Sequence, residues 1–157
     1  MEVIRTPAQR EPTGMDQTQT NELVRRVFRD VIDGGDYELI PELFDQDFQD
    51  HGPMGDSRGW DAFIEMLEGF RAALPDFRHE IEDVTMIDDS TAVWQVRTIA
   101  TFTGEMMGVW GKGQSLDLWF TNAARFRDGK VLEHWGPGPE ASLRLMAAMG
   151  LEQPALG

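Results

Sequence analysis

Between residues 20 and 35 the apolar positions Leu23, Val24, Val27, Phe28, Val31 and Ile32 recur at i, i+1, i+4 and i+5. That spacing lays one stripe along an α-helix. Thr20 or Asn21 is its expected cap, Glu22 an acid in the first turn, and Gly34-Gly35 its stop. A short second helix is predicted from Asp36 through Tyr37, Leu39, Ile40 and Leu43, then an extended segment over 47–53. Trp60, Phe63, Ile64, Leu67, Phe70 and Leu74 mark a third helix from about Arg58 to Leu74. It ends before Pro75, because the residue preceding proline avoids the helical region. From residue 77 onward the period changes from helical to alternating. Strands are predicted over 77–87, 91–103, 115–127 and 130–136, with a glycine-rich loop over 104–113. Asp128-Gly129 suits the positive φ angles of a tight hairpin. A closing helix over 140–149 stops at Gly150. Helices followed by an antiparallel meander give an α+β fold. Long antiparallel strands curl, and helices laid across the concave side of such a sheet leave an apolar pocket.

Residues 1–18 contain Pro7, Pro12 and Gly14 and show no periodicity, so they are expected to be a disordered tail. One domain over 19–157 accounts for the rest of the 157 residues. The absence of cysteine excludes disulfides, thiolate metal sites and a cysteine nucleophile. The 28 acidic residues against 14 basic ones give a net charge of −14. Such a chain repels phosphate backbones and anionic lipid, which argues against nucleic-acid and membrane partners. With neither a membrane-length apolar run nor the apolar core of a signal peptide, a cytoplasmic location is expected.

Several local strings carry a family resemblance. They are Phe48-Gln49-Asp50-His51-Gly52-Pro53, Leu74-Pro75-Asp76-Phe77, Val96-Arg97 and Thr101-Phe102-Thr103-Gly104-Glu105. The most specific is Arg125-Phe126-Arg127-Asp128-Gly129-Lys130-Val131-Leu132-Glu133-His134-Trp135. In order and spacing they resemble the SnoaL-like polyketide cyclases of the NTF2-like superfamily. The resemblance implies an NTF2-like cone: three N-terminal helices packed on a strongly curved antiparallel sheet, with a short C-terminal helix. It also implies a deep pocket, a homodimer, and cofactor-free intramolecular aldol closure of a polyketide ester. Family members usually carry an aspartate about four residues after the Trp135 position, where this chain has Pro139 and then Glu140. Many carry histidine where this chain has Phe102.

An aldol closure needs a base to take a carbon-bound proton and a donor to steady the enolate. His51 precedes a Gly-Pro turn at a plausible pocket rim, or else serves that turn as a hydrogen bonder. Glu140 is the acid nearest the family position, though an acid at a helix start is also favoured structurally. Arg97 and Asp117 stand inside strands, either as a pocket pair or as a structural ion pair. These four are the candidate catalytic residues. His79 and His134 fall in strands where outward placement fits at least as well. Phe48, Trp94, Phe102, Trp119 and Trp135 are candidate contacts for a hydrophobic or aromatic small molecule, with core packing as their other role. Met106, Met107, Met146 and Met149 either line an adaptable mouth or fill gaps. No metal or cofactor is expected: the histidines lie far apart, and Asp45, Asp47 and Asp50 lack the rest of an EF-hand. No nucleophile elbow or phosphate loop occurs.

Three readings remain open: a cyclase, a water-activating hydrolase of an epoxide using Arg97 and Asp117, and a non-catalytic binding protein or partner subunit. The long strands present an apolar face that a second copy would cover. Light scattering at micromolar concentration is therefore expected to give twice the 17.8 kDa chain mass; a monomer mass would refute the dimer.

Overall fold

The computed structural model describes residues 14–53 and 55–151. Helix α1 (Gln17–Arg26) starts from a capping box. The Asp16 carboxylate accepts from the Gln19 N–H at 2.7 Å, and the Gln19 side chain accepts from the Asp16 N–H at 3.1 Å. The helix thus begins ahead of the expected caps Thr20 and Asn21. Thr20 is fully buried, its hydroxyl donating to the Asp16 carbonyl. Residues 1–13 of the expected tail lie outside the described residues. Within 14–18, Met15 packs on the core. Gln17 donates to the Val84 carbonyl and accepts from the Met86 N–H, so this part docks on a strand.

Past Arg26 the helix widens into π-helical turns over Val27–Asp33, which keep Val27, Phe28, Val31 and Ile32 buried and end on Asp33. Asp36 makes no side-chain cap; a single 3₁₀ turn, Tyr37–Leu39, leads into α2 (Ile40–Leu43). Helix α3 (Trp60–Ala73) stops just before Pro75, as the sequence predicts.

The sheet has six strands in the order β2-β1-β8-β7-β4-β3: β1 Phe44–Gly52, β2 Gly55–Arg58, β3 Arg78–Asp88, β4 Thr91–Phe102, β7 Gln114–Arg127 and β8 Lys130–Trp135. Between β4 and β7 the glycine-rich stretch folds into a small hairpin of β5 (Glu105–Met106) and β6 (Val109–Trp110), where the sequence suggested only a loop. The 3–4–7–8 portion is the expected antiparallel meander. The segment after α2, however, pairs parallel to β8 and so extends the sheet. The whole is the curved, mainly antiparallel sheet with N-terminal helices and closing helix α4 (Pro139–Ala148) expected of an NTF2-like cone.

Long β4 and β7 pair without interruption from Thr91↔Arg125 to Phe102↔Gln114. Ala92, Trp94, Val96, Ala100 and Phe102 face the core together with Leu116, Phe120, Asn122, Ala124 and Phe126. Between β7 and β8 the register slips by one: Phe126 opposes Val131, but Ala124 opposes His134. Leu132 is the extra residue, and it reverses the alternation beyond it. His134 therefore turns inward while Trp135 turns out.

Phe44, Phe48 and Phe63 form the aromatic heart beneath α2 and α3, with centroids 4.9–5.2 Å apart. Removing a ring leaves a void that a close-packed core cannot refill. Phe48→Ala is expected to lower unfolding free energy by about 3–5 kcal/mol, and Asp16→Ala by about 1 kcal/mol. Urea denaturation measures both, and comparable losses would contradict this placement of the core.

Candidate functional site

Between the first helix, α3 and the concave face of the sheet lies a cavity of ≈ 110 Å³. Phe28, Phe63, Phe70, Phe77, Val96 and Phe120 contribute to its wall. The polar side chains lining it are those of His79, Thr98, Asn122 and His134.

His79 lies on β3 on the same face as the buried Phe77 and Ile81. Asp33, the last residue of the π-helical turns, holds it twice. One carboxylate oxygen accepts from the His79 backbone N–H at 2.9 Å, the other from Nδ1–H at 2.6 Å. Edge-on contacts from Phe28 and Phe77, at 5.3 and 5.4 Å, fix the ring plane. An acceptor on Nδ1 selects the tautomer with its lone pair on Nε2, and Nε2 has no hydrogen-bond partner among the described residues. The result is an oriented base beside an apolar space.

His134 is held differently. Asp50 stands beside it on the parallel strand β1 and is 1% exposed. The Asp50 carboxylate accepts from Nδ1 at 2.6 Å, and Asn122 Oδ1 on β7 lies 2.8 Å from Nε2. Both ring nitrogens are therefore occupied, and the ring is held between β1 and β7. With its oxygen engaged by His134, Asn122 has its Nδ2 hydrogens left for whatever occupies the cavity. Trp94 backs the ring, nearly parallel at 6.0 Å.

Two strands separate β3 from β8, a distance of about 14 Å along a flat sheet. Curvature brings both histidines onto one cavity.

Comparison with known proteins identifies the lineage. The family profile described as SnoaL-like polyketide cyclase matches residues 22–143. The chain belongs to the SnoaL-like polyketide cyclase family. No curated protein sequence matches it. Among solved structures, this SnoaL-like chain is similar to a candidate SnoaL-like polyketide cyclase from Jannaschia sp. CCS1. The two share 22% identity at a TM-score of 0.75, over 92% of this chain and 99% of that one. IdmH, a candidate polyketide cyclase from Streptomyces antibioticus, shares 22% identity at 0.70, over 85% and 99%. AclR, a candidate hydroxylase from Streptomyces galilaeus, shares 23% at 0.69, over 90% and 87%. At such identities the likeness shows the fold.

The structure does not bring the four expected catalytic residues of this SnoaL-like chain into one cavity. Arg97 points from β4 away from the concave face. It makes a two-pronged pair with Asp117 at 2.7 Å per contact, and reaches Glu80 at 3.2 Å. The carboxylates hold the guanidinium well above its ordinary range, and Arg97 holds Asp117 below its own. Glu140 lies exposed in the first turn of α4, on an open groove with Trp119 and Arg144. His51 sits at the end of β1, bridging Glu133 and Asp56 at 2.8 Å each and stacking on Trp135. The five expected aromatic contacts also lie off the cavity. Phe48 and Phe102 are core, Trp94 backs His134, and Trp119 and Trp135 are partly exposed. Among the described residues, no group of three His, Asp or Glu is placed to hold a metal.

Asp33, His79, Asp50, His134 and Asn122 are what the sequence reading missed. A signal existed for His79, which alternates in step with Phe77 and Ile81, and for Asp50, in step with Phe48. For His134 the Leu132 bulge concealed it.

At the rim, hydrogen bonding to Glu133, opposed by partial burial and helped by Asp56, raises the His51 pKa above 6.5. Its folded value lies above the unfolded one, so the pair's stabilisation is complete below about pH 6.5 and disappears as pH rises through the folded value. Glu133→Gln is expected to lower the His51 midpoint in an NMR titration; an unchanged midpoint would refute the pairing.

Proposed function

We propose that this protein is an acid–base enzyme acting on a small carbonyl compound with an acidic C–H, such as the intramolecular aldol cyclisation of a polyketide or related ester. The observation that carries the reading is the Asp33–His79 pair, its free Nε2 facing an apolar cavity. Family membership supports the reaction class.

In this reading His79 Nε2 takes a proton from the carbon beside the carbonyl, and the electron pair moves onto the carbonyl oxygen. Asp33 balances the imidazolium that forms. Asn122 Nδ2–H donates to the developing oxyanion, its orientation fixed by His134 and Asp50. Such a preset donor acts where charge appears and water is scarce. The enolate carbon then attacks a second carbonyl of the same molecule. A C–C bond forms, and the new alkoxide takes a proton from the His79 imidazolium, restoring the base. The family aspartate that Pro139 displaces is not needed for this cycle, and Glu140 and the Arg97–Asp117 pair take no part. Water activation by Arg97 and Asp117 gains no support, since each already answers the other's charge away from the cavity. The ligand is an uncharged, largely apolar molecule, matching the lining.

The test is deuterium exchange at C2 of ethyl acetoacetate, followed by NMR above the buffer rate. His79→Gln is expected to reduce the catalysed rate by roughly 10²–10⁴-fold, and Asp33→Asn to reduce it through the wrong tautomer. Retained exchange in His79→Gln would refute the base assignment, and no exchange above the buffer rate in the parent protein would replace the enzyme reading with that of a binding protein.

A further inference from the structure

The Asp33 carboxylate can orient His79 only while its own backbone stays in place. That backbone ends a helix, and the last carbonyls of a helix have no partner within it. Here the Asp36 N–H donates to the Asp30 carbonyl at 2.9 Å, and the Gly35 N–H to that of Val31 at 3.1 Å. The next amide, that of Tyr37, donates to Gly35 at 3.0 Å. The carbonyls of Ile32 and Asp33 are left over, and Arg71 takes both. Its Nη2 donates to Ile32 at 2.9 Å and its Nη1 to Asp33 at 3.1 Å. Arg71 stands in the last turn of α3, so one guanidinium fastens the π-helical end to that helix.

We propose that Arg71 is a positioning residue for the base, holding Asp33 where its carboxylate meets His79 Nδ1. The proposal rests on the preceding reading for the role of His79. Three observations set this apart from an ordinary helix cap. The carbonyls held are those of the orienting residue and its neighbour, so slack at Arg71 passes straight to the carboxylate. The same guanidinium lies over the Phe77 ring, 5.0 Å from its centre, and Phe77 meets the His79 ring edge-on at 5.4 Å. Two supports of the imidazole, the carboxylate and one aromatic wall, thus converge on one side chain. Finally, in a chain with 28 acidic residues this fork is turned to carbonyls. Its contact with the exposed Glu68, at 3.8 Å, is looser than either carbonyl bond, and Glu68 also accepts from the Tyr37 hydroxyl. Any cation near a helix C-terminus is favoured by the macrodipole, and lysine would serve that purpose. Only a planar fork bonds two adjacent carbonyls while covering a ring, whereas an ammonium is a point donor.

The experiment joins C2 exchange of ethyl acetoacetate to nitrogen NMR of the neutral histidine rings in the full chain. Misplacing a reacting group by about 1 Å can cost about 10²-fold in rate. Arg71→Ala and Arg71→Lys are each expected to lower kcat for exchange at least ten-fold, with KM within two-fold of the parent. In both, the His79 signals are expected to move from the Nδ1–H tautomer to a mixture. The His134 ring, held at both nitrogens by Asp50 and Asn122, is expected to keep its parent signals. Ethylguanidine, the fragment that alanine lacks, is expected to restore rate and tautomer in Arg71→Ala. Arg71→Lys keeps the charge and the stem, so it carries the test alone if Arg71→Ala does not fold. Parent-like kcat and tautomer in Arg71→Lys reduce the residue to a helix cap and overturn the proposal. So does a loss of kcat with the His79 tautomer intact. Exchange in His79→Gln separates the two ideas. If exchange survives there while Arg71 substitutions still disturb the tautomer, the base assignment fails and the positioning of the ring stands. If exchange needs His79 but neither tautomer nor kcat responds to Arg71, only the positioning fails.

Discussion

A carboxylate as completely buried as Asp50 has to be met by donors at close range, since an isolated charge in a protein interior costs several kcal/mol. Here a single histidine meets it, on the strand lying parallel alongside. Much of the architecture serves that meeting. Strand β1 has to enter the sheet beside β8, and α2 has to deliver it there from the helical layer. β8 has to present His134 to the core, which requires its register to slip at Leu132. Asn122 then closes the far side of the ring. Breaking one partner of such a pair is costlier than never having had it, so the three strands are bound into one arrangement.

The opposite wall follows a different logic. Asp33 and His79 are less deeply enclosed, and the carboxylate is used twice, on backbone and ring alike. The backbone contact ties the end of the first helix to the start of β3, and the ring contact sets the tautomer. One wall therefore carries a ring with both nitrogens occupied, the other a ring with one nitrogen to spare. In the proposed function that asymmetry separates a positioned donor from a base within a single apolar chamber.

Much of the fold was legible in the sequence because it rests on short-range periodicity. The helical stripe of residues 23–32, the β-branched run of 91–103 and the Asp128-Gly129 turn all announce themselves locally, and Asp128 and Gly129 adopt the positive φ expected of them. The site was much less legible, because its members are joined by long-range pairing. Asp50 and His134 lie 84 positions apart, Asp33 and His79 46. Along β8 outward placement fitted His134 at least as well and Trp135 was a candidate ligand contact, but one bulged residue turns His134 inward and Trp135 out. The Arg97–Asp117 pair stood out as charge within strands, and its charges do satisfy each other, on the convex side of the sheet. The start of the first helix was misplaced for a similar reason: Asp16 and Gln19 cap each other reciprocally, a relation weaker in sequence than the apolar stripe that follows.

The π-helical turns that end on Asp33 also decide where its carboxylate stands. A π turn holds one more residue than the α turn it replaces. If residues 27–33 relaxed to ordinary α geometry at unchanged length, that extra residue would be wound into the helix ahead of Asp33. Asp33 would then swing by about 100° around the axis and shift by about 1.5 Å along it. Aspartate and histidine would both survive in the sequence, yet they would no longer meet. A change in winding alone, with both side chains kept, is thus enough to part the carboxylate from the ring it orients.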